Sequence, residues 1–225
     1  MKIESIDLLG IETLTVTGNA SDVGIIMLHG YGANMQDLFP LWELWHAEKF
    51  NWYFPNGVLP LNMGYYEGRS WFSIDVQELE RAMREGRPRN MRGTLPLEFD
   101  STLARLTPYI AEISKKHKTI IVGGFSQGAM CASHLAMNST LNIDGLILLS
   151  GALIAETRCP AQVKGIPFYQ SHGVKDPVLD FQAGKELEEK LLSLNFSGKL
   201  HPFQGGHEIP TGVIHEVREF LGQFA

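Results

Sequence analysis

Gly124-Phe125-Ser126-Gln127-Gly128 sets a serine between two glycines placed two positions away on either side. That G-x-S-x-G spacing suits a nucleophile carried on a sharp turn between a strand and a helix. The context agrees: the apolar residues 119–122 come before it, and Ala129-Met130-Cys131-Ala132-Ser133-His134-Leu135-Ala136, with helical character, comes after. A serine in such a turn is strained, and its glycine neighbours let strand and helix backbones pass closely. The turn also puts Ser126 at a helix N-terminus, where the positive end of the dipole favours developing negative charge. The chemistry this implies is attack on an acyl carbon with a covalent acyl intermediate. A glycine-rich turn with no chemistry is the plain alternative.

A serine hydroxyl needs a base to take its proton. Of the eight histidines, His207 is the best placed, in Gln204-Gly205-Gly206-His207-Glu208-Ile209-Pro210, between the strand-like residues 199–203 and the last helix. His201 and His215 are the alternatives and read better as a strand residue and a helix-surface residue. His46, His117 and His134 fall on helices or their ends. The acid that orients the base is expected between serine and histidine in the chain, on a loop after a strand. Asp176, in His172-Gly173-Val174-Lys175-Asp176-Pro177, meets that description. As an alternative it is simply the N-cap of the following helix. Asp180, expected inside that helix, and Asp144, expected before a strand, are weaker candidates. An oxyanion needs two backbone N–H donors. Gln127 supplies one, and Tyr31, in Leu28-His29-Gly30-Tyr31-Gly32, supplies the other, with His29 read as a residue that braces this loop. No metal-ligand spacing is evident and no cofactor is expected.

Positioning such residues requires a scaffold of alternating elements. Residues 23–28, 120–122, 146–149 and 166–169 are short apolar runs that end in small or polar residues, which predicts buried parallel strands. Helical spacing lies between them: Leu38, Leu41, Leu44 and Trp45; Leu103, Leu106, Ile110 and Ile113; Leu187, Leu191 and Leu194. After Pro210, Val213, Ile214, Val217, Phe220, Leu221 and Phe224 form one apolar stripe. The alternation predicts an α/β chain with a mostly parallel central sheet and helices on both faces. Residues 3–16, broken at Gly10, predict an antiparallel hairpin at the sheet edge. One domain spanning 1–225 suffices. Residues 73–97 interrupt the rhythm with Glu78, Glu80, Arg81, Arg84, Glu85, Arg87, Arg89 and Arg92 and lack a sustained apolar face. They predict an inserted lid or binding loop, with a solvated connection as the alternative. The Arg87, Arg89, Arg92 cluster reads as a solvated face rather than a docking site for an acidic partner.

A formal charge of -6 argues against nucleic-acid partners, which call for clustered Lys and Arg. No apolar run reaches membrane-spanning length, and the N-terminal residues lack the apolar core of a signal peptide, so a cytoplasmic protein without stable membrane insertion is expected. Cys131 and Cys159, the two cysteines, form neither a CxxC pair nor a cluster with histidine. Both are expected as reduced thiols, with a disulfide as the alternative, and Cys131 is expected as a buried packing residue.

With these residues placed, the chain resembles the carboxylesterase, lysophospholipase and acyl-protein thioesterase family of small α/β-hydrolases. Leu28-His29-Gly30-Tyr31-Gly32, Arg69-Ser70-Trp71-Phe72, the Ser126 pentapeptide, His172-Gly173-Val174-Lys175-Asp176 and Gly206-His207 occur in that family's order. The resemblance implies an α/β-hydrolase fold and a triad of Ser126, Asp176 and His207. It also implies an oxyanion hole at Tyr31 and Gln127, and Trp71 and Phe72 near the acyl site. It implies no cofactor, and it leaves a homodimer open because many members form one. Apolar candidates for an acyl pocket are Phe39, Trp42, Met63, Tyr65, Tyr66, Trp71 and Phe72, with Met63, Trp71 and Phe72 preferred. The family usually has an Asp directly after Trp-Phe, whereas Ser73 stands here and Asp75 follows two positions later. The expected activity is hydrolysis of carboxylic esters with short to medium acyl chains, or of acyl thioesters. A lysophospholipase or other lipid esterase is the alternative, and a non-catalytic binding protein of this fold is a further one.

Overall fold

In the computed structural model, residues 1–18, 22–64, 66–86, 91–138, 140–156 and 165–225 are described. β3 (Val23–Leu28) and β8 (Gly145–Leu149) are buried along their whole length. Such unbroken apolar runs suit strands covered on both faces, where each fully buried Val, Ile or Leu contributes roughly 1.5–3 kcal/mol. They lie in an eight-stranded sheet of order β1-β2-β4-β3-β7-β8-β9-β10. The other strands of this sheet are β1 (Lys2–Leu8), β2 (Ile11–Thr17), β4 (Asn51–Pro55), β7 (Thr119–Phe125), β9 (Pro167–Gly173) and β10 (Ser197–Phe203). From β4 to β10 every neighbouring pair is parallel; β1–β2 and β2–β4 are antiparallel. The N-terminal hairpin is therefore at the edge, as expected, and its two-residue turn has positive φ at both Leu9 (55°) and Gly10 (77°). Paired positive φ values match the right-handed twist of the flanking strands.

Helices cover both faces. α3 (Phe99–Ser114), α4 (Gln127–Asn138) and α5 (Phe181–Ser193) pack Leu106, Ile110, Ala132, Leu135, Leu187 and Leu191 into one core. α1 (Leu41–Leu44) and α6 (Thr211–Gly222) pack Leu41, Trp42, Val213, Val217 and Leu221 into the other. The sequence reading did not anticipate β4, nor the small sheet of β5 (Leu59–Asn62) and β6 (Glu67–Ser70). The helix expected over residues 38–45 is the single turn α1. Among the described residues no helix is long and apolar enough to cross a membrane.

Within residues 73–97, read from the sequence as an inserted lid or binding loop, a short helix forms, α2 (Val76–Arg84). Its start is local: the Asp75 side chain accepts the Glu78 N–H at 2.9 Å, satisfying one of the first-turn donors. The segment is tied down at both ends. The Ser73 N–H and hydroxyl each donate to Glu98 at 2.9 Å, and Arg92 pairs with Glu156 while the Glu156 N–H reaches the Arg92 carbonyl at 3.0 Å. Arg87 and Arg89, like Cys159 and Tyr65, lie outside the described residues.

Candidate active site

β3 is flanked by β4 on one side and β7 on the other, so the loops leaving β3 and β7 diverge at the reversal of strand order. In open α/β sheets a crevice forms there, beyond the carboxyl ends of the strands. Ser126 sits at this point with φ +53°, in left-handed backbone. Its N–H donates to the Leu149 carbonyl at 2.8 Å and its carbonyl accepts the Met130 N–H at 3.1 Å, which holds the strained residue from both sides. A Cβ at Gly124 would come 2.6 Å from the Leu28 carbonyl oxygen, and one at Gly128 would collide with the same carbonyl. Both glycines are thus required by close backbone approach.

Asp176 follows β9 and has a fully buried side chain; its Oδ2 lies 2.6 Å from His207 Nδ1. Its Oδ1 accepts the Val178 N–H at 2.8 Å and the Leu179 N–H at 2.9 Å. Burial by itself would raise the carboxyl pKa. The hydrogen bond and charge of His207, together with the two backbone N–H groups, outweigh burial and hold it below the usual carboxylate range. His207 stands on the loop between β10 and α6, its ring 4.8 Å from the Phe125 ring. That loop is fixed to the Asp176 loop by the Val174 N–H to Phe203 and Lys175 N–H to Gly205 carbonyl bonds, each 3.0 Å. Asp176 does not cap the next helix. Asp180 is the N-cap of α5, accepting the Gln182 N–H at 3.3 Å, and was misplaced inside the helix by sequence reading. Asp144 accepts the Ile120 N–H at 2.8 Å, and His201 pairs with Glu216 at 2.8 Å, so both rivals are engaged elsewhere.

Ser126, His207, Tyr31 and Gln127 line one cavity of about 180 Å³. Gln127 opens α4, so its N–H has no carbonyl within the helix to bond. The Tyr31 loop is secured by the Gly32 N–H to Arg69 carbonyl (2.9 Å) and Arg69 N–H to Ala33 carbonyl (2.7 Å) bonds. His29 braces it further: the ring Nδ1 lies 2.7 Å from the Gly30 carbonyl and Nε2 accepts the Gly57 N–H at 2.9 Å. A carbonyl only accepts, so the ring proton resides on Nδ1. Burial brings the His29 pKa down to about 4, which keeps this brace neutral.

Residues 15–224 match the model of the phospholipase/carboxylesterase family. The chain belongs to this family. It is 27% identical over 230 residues to acyl-protein thioesterase 1 of Candida albicans, covering 92% of this chain and 94% of that protein. A probable carboxylesterase of Oryza sativa is 28% identical over 209 residues, covering 88% of this chain and 76% of the other. The fold matches that of the Bacillus cereus carboxylesterase with a TM-score of 0.75 at 19% identity, over 96% of this chain and 95% of that one.

On this phospholipase/carboxylesterase scaffold the apolar candidates separate. Phe72 lines the cavity. Trp71 is fully buried beside it: its indole N–H donates to the His29 carbonyl at 2.8 Å, and the Gln127 side chain bonds both the Trp71 N–H (2.8 Å) and the Phe72 carbonyl (2.7 Å). Trp71 therefore supports the wall from behind. Met63 is 42% exposed on the β5–β6 hairpin, near Gly32 and Gly68, and is not among the cavity's lining residues. Phe39 and Trp42 belong to the core on the opposite face of the sheet, and Tyr66 is exposed. Six lining residues were missed: Ile74, Leu79 and Met91 from the charged segment, Met130 from α4, and Val178 and Leu179 beside Asp176. Val76, Leu79, Ala82 and Met83 recur at helical spacing, a stripe that the surrounding charges obscured in the sequence reading. Cys131 is fully buried, which pushes its thiol pKa up, in keeping with a packing role.

Proposed function

We propose that this hydrolase cleaves carboxylic esters of short to medium acyl chains, or acyl thioesters, with Ser126 as nucleophile, His207 as base and Asp176 as orienting acid. Ser126 Oγ attacks the acyl carbon as His207 Nε2 takes its proton, and the N–H groups of Tyr31 and Gln127 receive the oxyanion. Collapse of the tetrahedral species breaks the bond to the alcohol or thiol, which leaves with the proton from His207. Water, deprotonated by the same imidazole, then attacks the acyl-serine and releases the acid with Ser126 restored. Asp176 holds the Nδ1–H tautomer and stabilises the imidazolium. Residues 73–97 act as a lid whose Ile74, Leu79 and Met91 close the acyl side.

The observation that carries this reading is the 2.6 Å contact between a buried carboxylate and His207, on the cavity that also presents the left-handed Ser126. The test compares wild type with Ser126→Ala on p-nitrophenyl esters of increasing acyl length and on an acyl thioester. Loss of roughly a thousandfold or more in kcat is expected for the variant. Labelling by a covalent serine probe that persists in Ser126→Ala, or wild type inert to probe and substrates alike, would overturn it.

A further inference from the structure

His172 is a second imidazole beside the acid, and the mechanism above does not use it. It is the penultimate residue of β9, and its side chain is fully buried. Nε2 lies 2.8 Å from the Leu179 carbonyl and 3.5 Å from Asp176 Oδ2. Because the carbonyl can only accept, Nε2 carries the proton, leaving Nδ1 as an acceptor that faces Gly184 of α5 and has no hydrogen-bond partner among the described residues. The ring thus makes one hydrogen bond, and it is directed at the turn that holds the acid.

We propose that His172 is a positioning residue for Asp176, locking the 176–179 turn through its Nε2–H so that Oδ2 stays aimed at His207. This rests on the triad reading. The hydrogen bonds form a chain: His172 holds the Leu179 carbonyl, the Leu179 N–H holds Asp176 Oδ1, and Oδ2 is left to His207. Leu179 also lines the cavity, so the same contact steadies the wall. The charged and titratable groups bearing on His172 are Asp176 and Asp180 on the following turn and His207 across the loop. From α5 come Gly184 and the Phe181 ring, itself under the Lys185 ammonium. Burial, the largest influence, lowers the His172 pKa and favours the neutral ring. A neutral ring leaves the carboxylate charge to the imidazolium that forms on His207.

The experiment compares His172→Leu, His172→Gln and His172→Asn with wild type in kcat, KM and the pH profile of kcat/KM, with active enzyme counted by a covalent serine probe. A glutamine amide reaches where Nε2 stands; an asparagine amide falls short. His172→Leu and His172→Asn are expected to lower kcat by about tenfold to a hundredfold with KM little changed, since a misplaced group costs rate rather than binding. In both, the acid limb of the profile moves to lower pH, as a loosely held Asp176 stabilises the imidazolium less. His172→Gln recovers most of the rate and the profile. Variants that merely unfold at lower temperature, with wild-type kcat and profile, overturn the proposal. So does a glutamine variant no better than asparagine, a comparison that stands even if His172→Leu does not fold. Ser126→Ala, run alongside, reports on the triad separately: activity surviving there removes the triad, whereas a dead Ser126→Ala with unaffected His172 variants removes only the positioning role.

Discussion

Ser126 has φ +53°, and left-handed backbone costs a residue with a Cβ roughly 1–2 kcal/mol. Alanine retains that Cβ and the strain; glycine loses both, though it adds about 0.5–1 kcal/mol of unfolded-chain entropy to be overcome. Ser126→Gly is therefore expected to unfold at higher urea concentration than Ser126→Ala, by up to about 1 kcal/mol, with both inactive. Equal midpoints would mean that the turn stores no strain at this residue. The two glycines flanking the serine answer a different demand, the closeness of the Leu28 carbonyl, and neither is free to change.

At the scale of elements, α2 is a short helix whose charged side faces outward and whose Leu79 reaches the cavity over Ser126. It is capped at Asp75 and anchored through Ser73 to Glu98, so the segment projects over the site from fixed ends. The Ser73 N–H and hydroxyl both serve that anchor. Because Leu79 is only half-buried, Leu79→Ala removes little core packing. The variant is expected to move the optimum on p-nitrophenyl esters to longer acyl chains while the thermal midpoint stays close to wild type. An unchanged optimum with unchanged stability would show that α2 does not bound the acyl chain.

For the whole molecule, the loop after β3 and the loop after β4 are joined through neutral His29, which ties the Tyr31 side of the cavity to global stability. Its pKa of about 4 in the folded state lies below the 6.5 of an exposed histidine, so the unfolded chain binds the extra proton. The stability that follows is full above pH 6.5 and is lost as pH falls toward 4. At about 1.4 kcal/mol per unit, the loss is on the order of 3 kcal/mol. His29→Asn is expected to be less stable than wild type at pH 7.5, with a smaller fall in urea-unfolding free energy between pH 7 and 4.5. Parallel curves for the two proteins would place the proton elsewhere.

Local chemistry accounts for what was legible in the residues alone. The Ser126 turn declares itself because steric demands on Gly124 and Gly128 act within two positions of the serine. The parallel strands declare themselves because double-sided burial requires unbroken apolar runs. Chain order then brought forward Asp176 and His207, which the fold places in contact. The cavity was decided by tertiary packing. Leu79 and Met91 come from the inserted 73–97 segment and Val178 from the turn after β9, and no spacing along the chain connects them. Trp71 and Phe72 are neighbours in sequence with opposite fates, one behind the wall and one forming it, because the Gln127 side chain pins the backbone between them. His172 and Asp176, four residues apart, gained their relation only when the turn after β9 folded back and brought the Leu179 carbonyl to the imidazole. Periodicity and turn chemistry are written over a few residues, whereas the shape of a pocket is set by which distant side chains the sheet and its helices press together.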